Sequence, residues 1–193
     1  MVILCDTCSI LMLIRIAPNM FSDPEFGAIT IPNVAREFVS TQKFKSKYPW
    51  RSEYSSNVVP ATSSSMQEDN HVFFLGLVKK MLENGVINLK TDRLFDLSAV
   101  DKEVVSYALS QGHAISTGDQ GIIDFASQEF SDDFKGNLSP LELIVDWLKK
   151  GLFDWDDSRH RVLEEWVLTN ERPQPPKAKG VFKKITGRPY PGP

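Results

Sequence analysis

Hydrophobic and polar positions along this chain follow two alternating periods. Val2-Ile3-Leu4-Cys5 is a short apolar run of the kind a fully buried strand shows, and it leads through Asp6 and Thr7 into the apolar stretch Ile10 to Ile16, long enough to begin a helix. Pro18 and Asn19 break that pattern, and Asp23-Pro24 marks a turn. Ala28 to Pro32 reads as a short extended entry into a second helix, with Thr30 or Asn33 as cap and Val34 and Phe38 on one face. Helical spacing resumes from Gln67 to Asn84 through Val72, Leu75, Val78 and Leu82, stopped by Gly85, and Val86 to Leu89 is a short strand. Ser98 opens a helix carrying Val100, Val104, Tyr107 and Ala108, and Gly112 closes it. His113 to Ser116 is another short strand, followed by the turn Thr117-Gly118-Asp119 and a short helix from Gln120 to Ala126. Ser139-Pro140 starts an amphipathic helix that ends at Lys149-Lys150-Gly151, and Asp156 to Thr169 forms one more, anchored by Trp155, Val162, Leu163 and Trp166. From Arg172 onward Pro and Gly dominate, which reads as a tail without its own core.

Strands that alternate with helices predict an α/β fold, a three-layer α/β/α arrangement with a central, mainly parallel sheet. In such sheets ligands and chemistry gather beyond the carboxyl ends of the strands. Four acids fall in that kind of place: Asp6 and Asp119 directly after strands, Glu37 and Asp101 near the starts of helices. Each also has a purely structural explanation. Asp6 and Asp119 suit helix N-caps, Glu37 suits a solvated helix face, and Asp101 completes an S-x-x-D capping box with Ser98. If their strands are neighbours, however, the four converge on one edge, where mutual repulsion calls for a hard divalent cation held through oxygen. Asp124, inside the short helix after Asp119, is a second-tier ligand.

The composition, 41% hydrophobic and 24% charged over 193 residues, is that of an ordinary globular chain of one domain with extensions. The divisions expected are 1–150 for the main domain, 151–170 for a helical extension and 171–193 for a basic tail. Ile10 to Ile16 is too short to span a bilayer and no charged segment precedes an export-type core, so the expectation is a cytoplasmic protein without membrane attachment. The net charge of −3 hides an asymmetry: six basic residues face one acid from Glu171 on, a net +5 that leaves −8 on residues 1–170. An acidic body needs a bridging cation to hold an anionic substrate. Cys5 and Cys8 make a C-x-x-C spacing, but Cys5 lies within the apolar strand and an acid lies between them, which opposes a reactive thiolate. A zinc site lacks a second paired motif, since only His71, His113 and His160 remain.

Between Thr41 and Met66 the cations Lys43, Lys45, Lys47 and Arg51 interleave with Phe44, Tyr48, Trp50 and Tyr54. Basic side chains attract phosphates and aromatic rings stack bases, so this segment fits a single-strand-binding lid; it fits equally a helix extension followed by a mobile loop.

Val2 to Leu11 resembles the opening strand and D-T-S segment of the PIN-domain nucleases, Ile31-Pro32 to Phe38 their V-P-x-x-x-x-E helix, Leu97 to Gly112 their L-S-x-x-D helix, and Thr117-Gly118-Asp119 their T-x-D turn. The resemblance covers roughly residues 1 to 150. It implies a PIN-like sheet and a Mg²⁺- or Mn²⁺-dependent ribonuclease, of the kind that acts as the toxin of a toxin–antitoxin pair, on single-stranded or structured RNA. Carried over by position, the catalytic and metal-binding acids are Asp6, Glu37, Asp101 and Asp119. Thr7, Cys8 and Thr117, with Lys43, Lys45, Lys47 and Arg51, would contact substrate. An antitoxin or other inhibitory protein and a homodimeric state are the implied partners. Two features depart from the family: Cys8 stands where serine is usual, and the insertion between Glu37 and Asp101 is longer than in the small toxins. An inactive PIN-like module that binds RNA or protein is the alternative, although such modules are expected to have lost acids that are all in place here. Phosphatases of the haloacid-dehalogenase type need a second Asp two residues after the first, where this chain has Cys8, and receiver-type phosphoacceptors need an early acidic pair that it lacks.

Overall fold

The computed structural model describes residues 1–62, 64–170 and 174–192. The first apolar run forms strand β1 (Ile3–Cys5), buried along its length, and Asp6 starts helix α1 (Thr7–Leu13). A turn through Pro24–Phe26 leads to β2 (Ala28–Ile29) and α2 (Pro32–Ser40). The long insertion holds α3 (Gln42–Lys47), a 3₁₀-helical stretch (Pro49–Asn57) and α4 (Ser65–Glu83). A two-stranded hairpin follows, β3 (Ile87–Asn88) and β4 (Arg93–Leu94), then α5 (Ala99–Gln111), β5 (Ala114–Ser116) and α6 (Gln120–Glu129). Three helices close the chain: α7 (Pro140–Lys150), α8 (Asp157–Asn170) and α9 (Pro176–Thr186).

β1 sits at the centre of a small parallel sheet in the order β2-β1-β5, with Ile3 paired to both Ala28 and Ala114 and Cys5 to Ser116. The fold is therefore α/β, and β1 and β5 are neighbours, as the two strand-then-acid segments require. The outer side of β5 is covered by the loop at 136–138, through Ile115 N to Gly136 O at 3.0 Å and Leu138 N to Ile115 O at 2.9 Å. The strand expected at Val86 to Leu89 joins the antiparallel hairpin with β4.

Local signals fixed most helix ends. Ser98 and Asp101 exchange both hydrogen bonds of a capping box, and Gly112 ends α5 in the left-handed conformation at φ 63°. Ser64 with Gln67 and Ser139 with Glu142 form two more capping boxes. The cap expected for α2 differs. Ile31 occupies the N-cap and has no side-chain acceptor, and Pro32 lacks one of the N–H groups a helix start leaves open; Thr30 donates instead to Cys5 O at 3.2 Å, and Asn33 Nδ2 to Glu103.

The largest departure is at the C-terminal end. The segment read as a core-less tail contains α9, which packs on α7 and buries Ala178 and Phe182, with Tyr190 and Gln174 also buried. Phe182 meets Trp155 edge-on at 4.9 Å, and Gln174 accepts from Leu141 N at 3.3 Å. Ala178, Val181, Phe182 and Ile185 follow a helical spacing that the flanking prolines and glycines obscure. Among the described residues no helix is long and apolar enough to cross a membrane.

Candidate active site

Asp6 stands at the carboxyl end of the central strand and is 7% exposed. Its Oδ1 accepts from Ser9 N at 2.7 Å, so it is the N-cap of α1, and its Oδ2 accepts from the Thr117 hydroxyl at 2.5 Å. Burial pushes its carboxyl up from 3.8 to about 6; the hydrogen bonds from Thr117 and Ser9 oppose the rise and the negative charge of Asp101 adds to it. Among the described residues no lysine, arginine or histidine pairs with Asp6, Glu37, Asp101 or Asp119.

Two threonines beside this carboxylate bond the segments that carry Glu37 and Asp119. Thr7, the first residue of α1, is buried and donates its hydroxyl to Glu37 on α2. Thr117, the residue after β5, donates to Asp6 while its oxygen accepts from Asp119 N at 2.9 Å. Asp119 caps α6 by accepting from Gly121 N at 2.7 Å. A Cβ at Gly121 would sit 3.1 Å from that carboxylate oxygen and press it outward, so glycine gives the tight cap its room. Asp101 uses Oδ2 to accept from Ser98 N at 2.9 Å, yet its charge still reaches Asp6. Asp6 and Asp119 are thus N-caps and Asp101 a capping-box acid; Thr117 links the Asp6 carboxylate to the backbone of Asp119, and Thr7, next to Asp6 in the chain, holds Glu37.

Among the described residues no three His, Cys, Asp or Glu side chains are grouped closely enough to hold a metal ion as they stand. The acids share an edge without closing on one point. A Mg²⁺ ion keeps several waters and commonly takes only one or two carboxylates directly, so the all-oxygen donor set at Asp6 and its neighbours fits that ion in composition. Neither cysteine is in a disulfide; burial and the Asp6 charge raise the Cys5 thiol far above its usual range, and Cys8 is half-buried on α1.

Asp124 stands apart from these acids. It is buried and accepts from Lys90 Nζ at 2.5 Å, Gln120 Nε2 at 2.8 Å and Asn88 Nδ2 at 3.4 Å. Burial pushes its carboxyl up, but these bonds outweigh that and hold it below the usual range. With Gln128, which bonds Ile87 O and Leu89 N at 2.9 Å each, Asp124 clamps the β3–β4 hairpin onto α6.

The aromatic and basic insertion is placed differently from the expected lid. Tyr48 is buried and stacks on Trp166 at 6.1 Å, Trp50 meets Tyr48 edge-on at 5.9 Å, and the Arg15 guanidinium lies 5.0 Å from the Trp50 ring. These rings wall a hollow of about 240 Å³ against Leu11, Met12 and Arg15, toward the end of α1 remote from Asp6. Arg51 is buried, Lys47 is exposed, and the side chains of Lys43 and Lys45 lie outside the described residues. The cations nearer the acids are ones the sequence reading passed over. Arg36 shares a hollow of about 360 Å³ with Glu37, and Arg93 shares one of about 480 Å³ with Gln120 and Gly121 of the helix that Asp119 caps. The signal available for them was position: Arg36 adjoins Glu37, and Lys90 to Arg93 precede the helix bearing Asp101.

No family model, curated protein or solved structure matches this chain.

Proposed function

We propose that the chain is a Mg²⁺- or Mn²⁺-dependent ribonuclease of PIN-like, three-layer architecture that hydrolyses phosphodiester bonds in RNA. The observation that supports it most is Asp6: a desolvated carboxylate at the end of the central strand, tied by Thr117 to the segment bearing Asp119, followed in the chain by Thr7, which bonds Glu37, near the charge of Asp101, and with no cation from the described chain. A buried negative charge without a partner is costly, and a divalent ion is the counter-charge that would balance it. Asp6 would hold the ion, with Glu37, Asp101 and Asp119 contributing directly or through water. When bound, the ion neutralises phosphate charge and lowers the pKa of a water for attack. The chain's own part is orientation: Thr117 fixes Asp6, Thr7 fixes Glu37, and Arg36 and Arg93 attract the phosphates on either side. Action in the cytoplasm under an antitoxin-like inhibitory protein belongs to the same reading.

The open spacing of the acids favours a second reading, a PIN-like module that binds RNA or protein without cutting. Labelled single-stranded RNA incubated with Mn²⁺ separates the two. Cleavage by the wild-type chain that disappears in both Asp6→Asn and Glu37→Gln supports the nuclease; RNA binding without any cleavage supports the module.

A further inference from the structure

Residues 174–193 carry five cations and no acid. Four of the cations, Lys177, Lys179, Lys183 and Lys184, stand on α9, which packs on α7 and buries Ala178 and Phe182. At about 100° per residue these lysines surround Gly180 on the side of the helix opposite the two buried residues. Among the described residues Arg188 pairs with Asp157, while no acid pairs with the four lysines. A Cβ at Gly180 would meet nothing within 4 Å, and its φ is not positive, so the fold does not call for glycine there. Bare backbone among lysines does let a ligand come close.

Helix stability does not account for these lysines. Lys183 and Lys184, in the last turn, suit the negative end of the helix dipole, but Lys177 and Lys179 lie toward the positive end, where acids are favoured and this helix has none. Four like charges along a helix of about 16 Å also repel one another, so an anion from outside relieves both strains. The row is aligned with the fold as well. Thr117, whose hydroxyl bonds Asp6, donates its N–H to Asn137 Oδ1 at 3.3 Å; Ser139 then caps α7, and Gln174, just before α9, accepts from Leu141 N. Near the other end of α7, Trp147 donates to Phe26 O, next to the Gly27 carbonyl that accepts from Ile3 N at the start of β1, and past that end Trp155 meets Phe182. Helix α9 therefore begins near the sheet edge that carries Asp6 and runs alongside α7 toward the opposite edge.

We infer that the exposed face of α9 is a docking track for the phosphates of an RNA strand, which it holds to one side of the acids at Asp6. The body of the chain, at −8 over residues 1–170, repels RNA, and α9 is where the compensating charge is concentrated. A bilayer is a poorer match, because the apolar face that an amphipathic helix sinks into a membrane is here packed on α7. A protein partner is a poorer match too, since protein interfaces are depleted in lysine and centred on aromatic anchors, whereas these lysines surround a glycine. The inference takes RNA as ligand from the proposed function but does not require cleavage, and α9 lies outside the residues that the family resemblance covers.

Fluorescence anisotropy of a labelled single-stranded RNA, in chelator and over a series of salt concentrations, tests it on the full chain. Replacing Lys177, Lys179, Lys183 and Lys184 together by Gln leaves the packed face intact and barely changes helix propensity. It should weaken binding by about tenfold or more and lower the slope of log affinity against log salt by about 2 to 3, at roughly 0.7 per phosphate contact. Gly180→Glu, placed in open space, should keep or raise the melting temperature while weakening RNA binding, which separates lost docking from lost folding. Replacing Lys79, Lys80 and Lys135 by Gln removes charge from other elements and should leave binding near that of the wild type. Binding indifferent to the α9 variants, an equal loss from the Lys79, Lys80 and Lys135 change, or tighter binding to phosphatidylserine vesicles or polyglutamate than to RNA overturns the inference. The nuclease reading fails separately: RNA held through α9 but left uncut in Mn²⁺ refutes the nuclease and keeps the track, while Mn²⁺-dependent cleavage with a KM unchanged in the α9 variants keeps the nuclease and refutes the track.

Discussion

Replacing Asp6 by Asn should make the protein more stable, and only above the pH at which Asp6 ionises. The native carboxyl titrates at about 6 against 3.8 for the unperturbed group. A raised acid pKa means that folding favours the protonated form. Asp6 therefore costs nothing below the unfolded value, and its penalty grows as pH rises from there through 6 and is complete above it. That difference corresponds to about 3 kcal/mol at pH 7.5. Asn keeps the cap to Ser9 N through its carbonyl oxygen, but its amide meets the Thr117 hydroxyl, which already accepts from Asp119 N and has to turn. Losing that bond offsets roughly 1 kcal/mol, leaving a gain of about 2 kcal/mol. For a chain of this size the melting temperature should rise by roughly 4 to 8 °C at pH 7.5 and hardly at all at pH 4. Thermal melts of both proteins at the two pH values, in chelator, measure it. Adding Mg²⁺ should then stabilise the wild-type chain and leave Asp6→Asn where it was. A melting temperature that falls at pH 7.5, or a gain of equal size at both pH values, would refute the idea that a buried, uncompensated charge sits at this position.

Asp124→Asn should lower stability by about 1 to 2 kcal/mol, a figure kept small because Lys90 is largely exposed. It should also speed hydrogen exchange in the hairpin at 87–94 while sparing RNA cleavage; loss of cleavage with hairpin protection intact would make Asp124 a ligand after all. Phe182→Ala, at a fully buried position on α9, should cost about 3 to 5 kcal/mol. An unchanged melting temperature would return residues 174–192 to the status of a tail. Cys8→Ser should retain Mn²⁺-dependent cleavage, and brief iodoacetamide treatment of the native chain should modify Cys8 and not Cys5, checked by peptide mass.

The parts of the site legible in the sequence are those fixed by neighbours in the chain. A buried strand followed by an acid and a helix, the S-x-x-D box and the T-x-D turn are each decided within a few residues, and the chain folds there as expected. Long-range packing is where the reading missed. Tyr48 and Trp50 beside lysines look alike whether they stack on bases or on Trp166, because helix α8, which supplies Trp166, lies more than a hundred residues away in the sequence. Asp124 counts as one more acid until Lys90 pairs with it and Asn88 donates to it, both from a hairpin whose second strand Arg93–Leu94 has no β pattern. Composition hid α9 because Pro and Gly weigh against order in a window, while two buried side chains four residues apart weigh for it only once α7 offers a surface.

The place of β1 in the middle of its sheet bears on how the protein is made. One neighbour, β2, arrives soon after it in the chain, but the other pairs Ile3 with Ala114. A ribosome therefore releases the first strand long before its second partner exists, and contacts of such sequence separation form late. Until then Asp6 has no Thr117 to orient it and is an ordinary solvated aspartate. The cover over Asp6 thus waits on a strand more than a hundred residues downstream in the chain.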